Sequence, residues 1–124
     1  MAEGLTPMEI IYKSQKLQGL CTDIRKATKA FNANVAEKLI ATINYIESAE
    51  TLVDVRNYPP FHFHQLKHNK KEYCSIYLGK TLGYRLLVIP LLSDNKPAKP
   101  EEIFTSSAIK IKLIKVEEVS NHYE

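Results

Sequence analysis

Three of the four histidines fall within seven residues, as His62, His64 and His68. Lys67, Lys70 and Lys71 are interleaved with them, and no acid intervenes before Glu72. Histidine, with an ordinary pKa of about 6.5, can accept or donate a proton near neutral pH. Lysine adds fixed positive charge, which suits a phosphate-bearing partner. Arg85 stands inside Tyr84–Ile89, an otherwise apolar run. A guanidinium placed there needs a partner, because an unpaired buried charge is costly. Two partners fit: an internal acid such as Asp54, or a phosphate gripped from the open face of a sheet. The chain closes on Asn121-His122-Tyr123-Glu124. If the last strand is central, its end carries His122 or Tyr123 to the face of Arg85.

These residue types suit RNA cleavage. The 2′-hydroxyl of RNA is itself the nucleophile. The protein must take its proton, return one to the leaving 5′-oxygen, and neutralise the phosphate between them. Histidine performs such proton transfers, each worth about 10²–10⁴-fold. Arginine and lysine stabilise the charge that builds on phosphate. An aromatic such as Tyr123 can stack a base of single-stranded RNA. Other readings stay open. His62, His64 and His68 can be ordinary exposed histidines on a solvated basic loop. An i, i+2 histidine pair on a strand can also chelate a metal, but no cysteine or acid cluster stands beside it to complete a site. No glycine-rich phosphate loop, GxSxG or paired-carboxylate motif is present, which excludes nucleotide-driven phosphoryl transfer and acyl-transfer hydrolysis.

The 124 residues, 44% hydrophobic and 25% charged, are enough for one globular domain with its own core. Residues 1–7 read as a loose leader. The longest apolar run, Leu86–Leu92, is far short of the roughly 20 residues of a membrane span. No secretory signal precedes it. Cys21 and Cys74 lack metal or redox spacing and read as buried free thiols. Together these features predict a cytoplasmic protein without cofactor or metal. The net charge of +3 lies entirely in the second half: residues 1–60 balance seven basic against seven acidic side chains, and the remainder holds ten against seven.

The elements that must position these residues change period midway. Glu9–Tyr12 is a short strand candidate. From an N-cap at Ser14, Leu17, Leu20, Cys21, Ile24, Ala27 and Phe31 recur at helical spacing and predict one helix. After a turn at 31–34, Asn34 with Glu37 predicts a variant capping box for a second helix to about Glu47. Two such helices joined by a short turn predict an antiparallel hairpin. Then Phe61–Lys67, Glu72–Leu78, Tyr84–Leu92 and Ile109–Val119 read as strands. On the first, His62 and His64 share one side and Phe61 and Phe63 the other. Glycines 79 and 83 bound a hairpin loop, and Ser93–Glu102 is a polar surface loop. The apolar alternation of the last strand slips phase, which predicts a bulge near Leu113. Helices first and strands after predict an α+β fold: an N-terminal helical hairpin packed on one face of a three- to four-stranded antiparallel sheet.

The runs His64-Gln65-Leu66-Lys67, Lys71-Glu72-Tyr73-Cys74-Ser75-Ile76 and Gly83-Tyr84-Arg85-Leu86-Leu87 resemble the RelE/ParE superfamily of bacterial toxins. They are most similar to its HigB-type killer proteins, with their His-Glu-Leu-Lys-Gly, Tyr-Ser and Tyr-Arg-Leu segments. The ending Val116–Tyr123 resembles that family's last strand, which often closes Asp-Tyr-His. Here the order is Asn121-His122-Tyr123, His68 replaces a glycine, and Ser93–Glu102 resembles an inserted loop. The resemblance implies a microbial RNase-like, RelE-type fold and a type II toxin. Such a toxin enters the ribosomal A site and cleaves mRNA without metal. It also implies a HigA-like helix-turn-helix antitoxin, which joins the toxin in a heterotetramer on operator DNA. Carried over, His64, Lys67 and Arg85, with His122 or Tyr123, are the catalytic set. His62, His68, Lys70, Lys71 and Asn121 would widen the RNA footprint. Three rivals remain in view: a ParE-type inhibitor of DNA gyrase, an inactive RNA- or protein-binding module of the same fold, and a histidine metal site.

Overall fold

The computed structural model describes residues 7–67, 72–79 and 83–121. Among them run, in order, β1 (Glu9–Tyr12), α1 (Gln15–Thr22), α2 (Ile24–Ala30), α3 (Ala33–Ser48) and α4 (Leu52–Arg56). β2 (His64–Gln65), β3 (Cys74–Tyr77), β4 (Arg85–Leu91), α5 (Pro100–Ile103) and β5 (Leu113–Ser120) complete the order. The class is α+β, with five helices and one five-stranded sheet ordered β1-β5-β4-β3-β2. Among the described residues, no helix is long and apolar enough to cross a membrane.

The sheet has more strands than expected and is not wholly antiparallel. β2, β3, β4 and β5 pair antiparallel, but β1 lies parallel to β5. No hairpin joins β1 to β5, so turn geometry does not dictate their direction. One sheet face carries Cys74, Ile76, Leu86, Val88, Ile114 and Val116. These share a single core with Leu39, Ile43, Ile46, Leu52 and Val55 of the helices. α2 packs along α3, and α1 touches both.

The first helix is two helices. Asp23 stays extended, and its carboxylate accepts from the backbone N–H groups of Arg25 and Lys26, capping α2. Ile24, expected on the apolar stripe, is 47% exposed as a result. α3 begins two residues earlier than expected. Asn32, not Asn34, is its cap and accepts from Val35 N–H at 2.9 Å.

The strand predicted at Phe61–Lys67 shrinks to β2. Pro59 and Pro60 draw Phe61 into a 3-10 turn, and His62 turns left-handed at φ 45°. The shared side predicted for His62 and His64 is lost with it, because alternation requires continuous extended backbone. The β3–β4 pair is the expected hairpin, closed by Leu78 N–H to Tyr84 O. Gly79 and Gly83 take φ of 93° and 76°, which glycine adopts without steric penalty.

The bulge predicted near Leu113 lies at Glu117. Val88 pairs with Val116 and Leu87 with Glu118, which leaves Glu117 as the extra residue. The phase slip seen in the sequence has another cause: Ser106–Lys110 form a 3-10 turn, so Ile109 is not in a strand.

Candidate functional site

Tyr77, at the turn end of the β3–β4 hairpin, is the centre of the site. The His62 ring stacks on it at 4.7 Å, and the His64 ring meets its edge at 6.3 Å. The Arg85 guanidinium lies 5.7 Å from the same ring centre. Tyr77 and Arg85 are cross-strand partners, and Arg85 is also opposite Ser120 of β5. Paired residues share a face, so Tyr77, Arg85 and Ser120 form a row on the face away from the helices. One register step along, His64 pairs with Ser75 and Ser75 with Leu87 on that same face.

His64 is held in a defined orientation. Its Nδ1 lies 2.8 Å from the carbonyl oxygen of His62. A carbonyl only accepts, so Nδ1 carries the proton and donates it. In the neutral ring the lone pair is therefore on Nε2. The left-handed turn at His62 aims both that carbonyl and the His62 ring.

Arg85 is only 9% exposed. The pairing with Asp54 does not form: the Asp54 carboxylate accepts from Glu50 N–H at 3.0 Å. Among the described residues, both ion pairs end on Glu117, from Lys115 at 3.0 Å and Lys13 at 3.9 Å. Among the described residues, Arg85 thus has the Tyr77 ring beside it and no carboxylate. A guanidinium so placed is positioned to receive an anion.

The bulge explains how β5 reaches the site. The extra residue Glu117 puts Val119 opposite Leu86, in the core, and Ser120 opposite Arg85. The Glu117 side chain is 6% exposed. It accepts from the Tyr73 hydroxyl at 3.2 Å, a bond that passes over β4. Burial first, then the Glu117 carboxylate, raises the Tyr73 phenol above its ordinary pKa. Ser75 adds a buried hydroxyl with no hydrogen-bond partner among the described residues, directly opposite His64 in the register.

Of the residues singled out from the sequence, His62, His64 and Arg85 come together around Tyr77. Asn121 is exposed and follows Ser120 directly. Lys67 is exposed and lines a different cleft, of about 660 Å³, with Leu66, Pro97 and Pro100. His68, Lys70, Lys71, His122 and Tyr123 lie outside the described residues. Among the described residues, no three His, Cys, Asp or Glu side chains gather into a metal-binding set. Tyr77 and Glu117 were not singled out. The signal for Tyr77 was its place in the Tyr73, Ser75, Tyr77 alternation facing Arg85 across a predicted hairpin. Glu117 gave none, since Tyr73 and Lys13, two of its partners, are distant in sequence.

No protein-family model, curated protein or solved structure matches this chain.

Proposed function

We propose that the chain is a metal-independent endoribonuclease of the RelE/ParE type, a HigB-like toxin that cleaves mRNA in the ribosomal A site. The observation that carries this reading is the pair formed by an oriented His64, its Nδ1 tied to the His62 carbonyl, and a nearly buried Arg85 that meets no acid among the described residues. The RelE-type arrangement, a helical hairpin over a sheet, is supported by α2 packing on α3 and by the shared helix–sheet core.

The chemistry follows from these groups. His64 Nε2 removes the proton of a 2′-hydroxyl, and O2′ attacks the adjacent phosphorus. The P–O5′ bond breaks, and the 5′-oxygen takes a proton from a second group, for which His122 and Tyr123 are the candidates. The products are a 2′,3′-cyclic phosphate and a 5′-hydroxyl. Arg85 neutralises the phosphate as charge builds on it, and Lys67, on a different cleft, adds to the positive charge around the site. His62, His68, Lys70, Lys71 and Asn121 extend the basic footprint, so binding weakens steeply with salt. In this reading the protein acts in the cytoplasm, and a HigA-like antitoxin neutralises it and forms a heterotetramer with it on operator DNA.

The test is mRNA cleavage in a purified translation system with 5′ ends mapped by primer extension. New ends within codons, dependent on ribosomes and absent with Arg85→Ala and His64→Ala, are expected. Intact mRNA with the wild-type protein refutes the reading.

A further inference from the structure

Resting on the RNA reading, we infer that the cleft between α3 and the Tyr58–His62 turn is a nucleobase subsite beside the scissile phosphate. The cleft is about 320 Å³, and Lys38, Thr42, Tyr45, Tyr58, His62 and Tyr77 line it. Two aromatic stacks meet there. Tyr45 lies on Tyr58 at 4.2 Å, and His62 lies on Tyr77 at 4.7 Å. Tyr58 is 36% exposed, an open ring on a surface turn. Base–aromatic stacking is tolerant of sequence and strong enough to hold a splayed nucleotide.

Thr42 is a second, independent observation. It is 5% exposed and lines the cleft, yet its hydroxyl makes no hydrogen bond to a described residue. Helical threonines usually bond the carbonyl four residues back. Thr22 does so here, to Gln18 O at 2.7 Å. Thr42, far more buried, does not, so a donor and an acceptor are left for an occupant. A base edge offers both partners. Lys38 stands one turn earlier on the same side of α3, and no carboxylate lines the cleft. The lining therefore suits a planar, heteroatom-bearing ring that carries an anion, which describes a nucleotide. His62 and Tyr77 belong to both the cleft and the Arg85 cluster, so a base seated here adjoins the phosphate held by Arg85.

The test titrates the full chain with AMP, GMP, CMP and UMP, and separately with inorganic phosphate, and follows the Thr42 amide and the Tyr58 and His62 ring signals by NMR. Saturable shifts at Thr42 and Tyr58 are expected with at least one nucleotide and not with phosphate, which should reach only the His62 ring beside Arg85. Thr42→Val and Tyr58→Ala should each weaken that nucleotide about tenfold, while the remaining spectrum stays folded. Shifts at Thr42 and Tyr58 reproduced by phosphate alone, or affinities unchanged in both variants, would overturn the subsite even if mRNA is cleaved. Nucleotide binding lost in the variants, with no cleavage by the wild type, would support the subsite and overturn the nuclease reading instead. Saturation of the cleft by a tyrosine-containing acidic peptide and by no nucleotide would also overturn it.

Discussion

The Nδ1 nitrogen of His64 sits 2.8 Å from the carbonyl oxygen of His62, whose own backbone is left-handed at φ 45° and ψ 46°. A side chain with two usable nitrogens is thereby committed to one. We expect ¹⁵N spectra of neutral His64 to show a protonated Nδ1 and a bare Nε2. Because the anchor is a backbone carbonyl, His62→Gly should preserve that tautomer; glycine adopts the left-handed region freely. An Nε2–H tautomer in the wild-type protein would remove His64 as the oriented base.

Arg85 predicts a separation between stability and activity. It is nearly buried beside Tyr77 and has no carboxylate among the described residues. Desolvating a guanidinium without an acid partner gains the fold little. Arg85→Met, which keeps the apolar stem volume, should leave unfolding free energy within about 1 kcal/mol of wild type or raise it. The same substitution should lower cleavage by about 10²-fold or more, as removal of a charge-stabilising donor does. Arg85→Lys should rescue little, since a point charge does not reproduce bidentate geometry. Denaturant curves and cleavage rates on the same samples check both. A strongly destabilised Arg85→Met would make this arginine structural.

Glu117 is the opposite case, a charged residue retained for shape. Its carboxylate holds Tyr73 across β4 and Lys115 beside it, which pins the bulge that sets Ser120 against Arg85. Glu117→Ala should destabilise by about 1.5–3 kcal/mol, the range for hydrogen bonds to a charged group. Tyr73→Phe should cost about 0.5–1.5 kcal/mol. A double-mutant cycle should show coupling between the two. Additive losses would mean that the bond across β4 contributes nothing.

What was legible in the sequence follows from the range of the forces involved. The β3–β4 hairpin and β4 itself were readable because glycine turns and apolar runs are local signals. α3 was readable from its periodicity, though not its cap: Asn32 and Asn34 are chemically equal candidates, and only the turn geometry chooses. Asp23 was hidden because the stripe through Cys21, Ile24 and Ala27 fits one helix as well as two. His62 and His64 were identified as a pair for the wrong geometric reason. They meet at Tyr77 through a left-handed kink imposed after Pro59 and Pro60, not through strand alternation. The bulge was misplaced because a buried glutamate reads as surface until Tyr73 and Lys13, over forty residues and over one hundred residues away, are seen beside it.

The two buried thiols make stability fall in alkali. Burial pushes Cys21 and Cys74 from near 9 up to about 12, and half-buried Tyr12, its hydroxyl without a hydrogen-bond partner among the described residues, from 10 up to about 12. Between those values the folded chain keeps protons that the unfolded chain has released. Native protein then binds more protons than unfolded protein, so unfolding becomes easier as pH rises. The contribution is complete below about pH 9 and declines above it, by up to about 1.4 kcal/mol per pH unit for each thiol. Tyr12 steepens the decline above its ordinary pKa of 10. Guanidinium unfolding from about pH 8 to about pH 10.5 should show this curve. Cys21→Ala and Cys74→Ala should each flatten it, whatever they cost at neutral pH. The thiols should also resist modification until the chain unfolds, because a buried neutral thiol is a poor nucleophile. An identical alkaline slope in wild type and in the double variant would show that these cysteines open to water without unfolding, and would contradict a core closed around them.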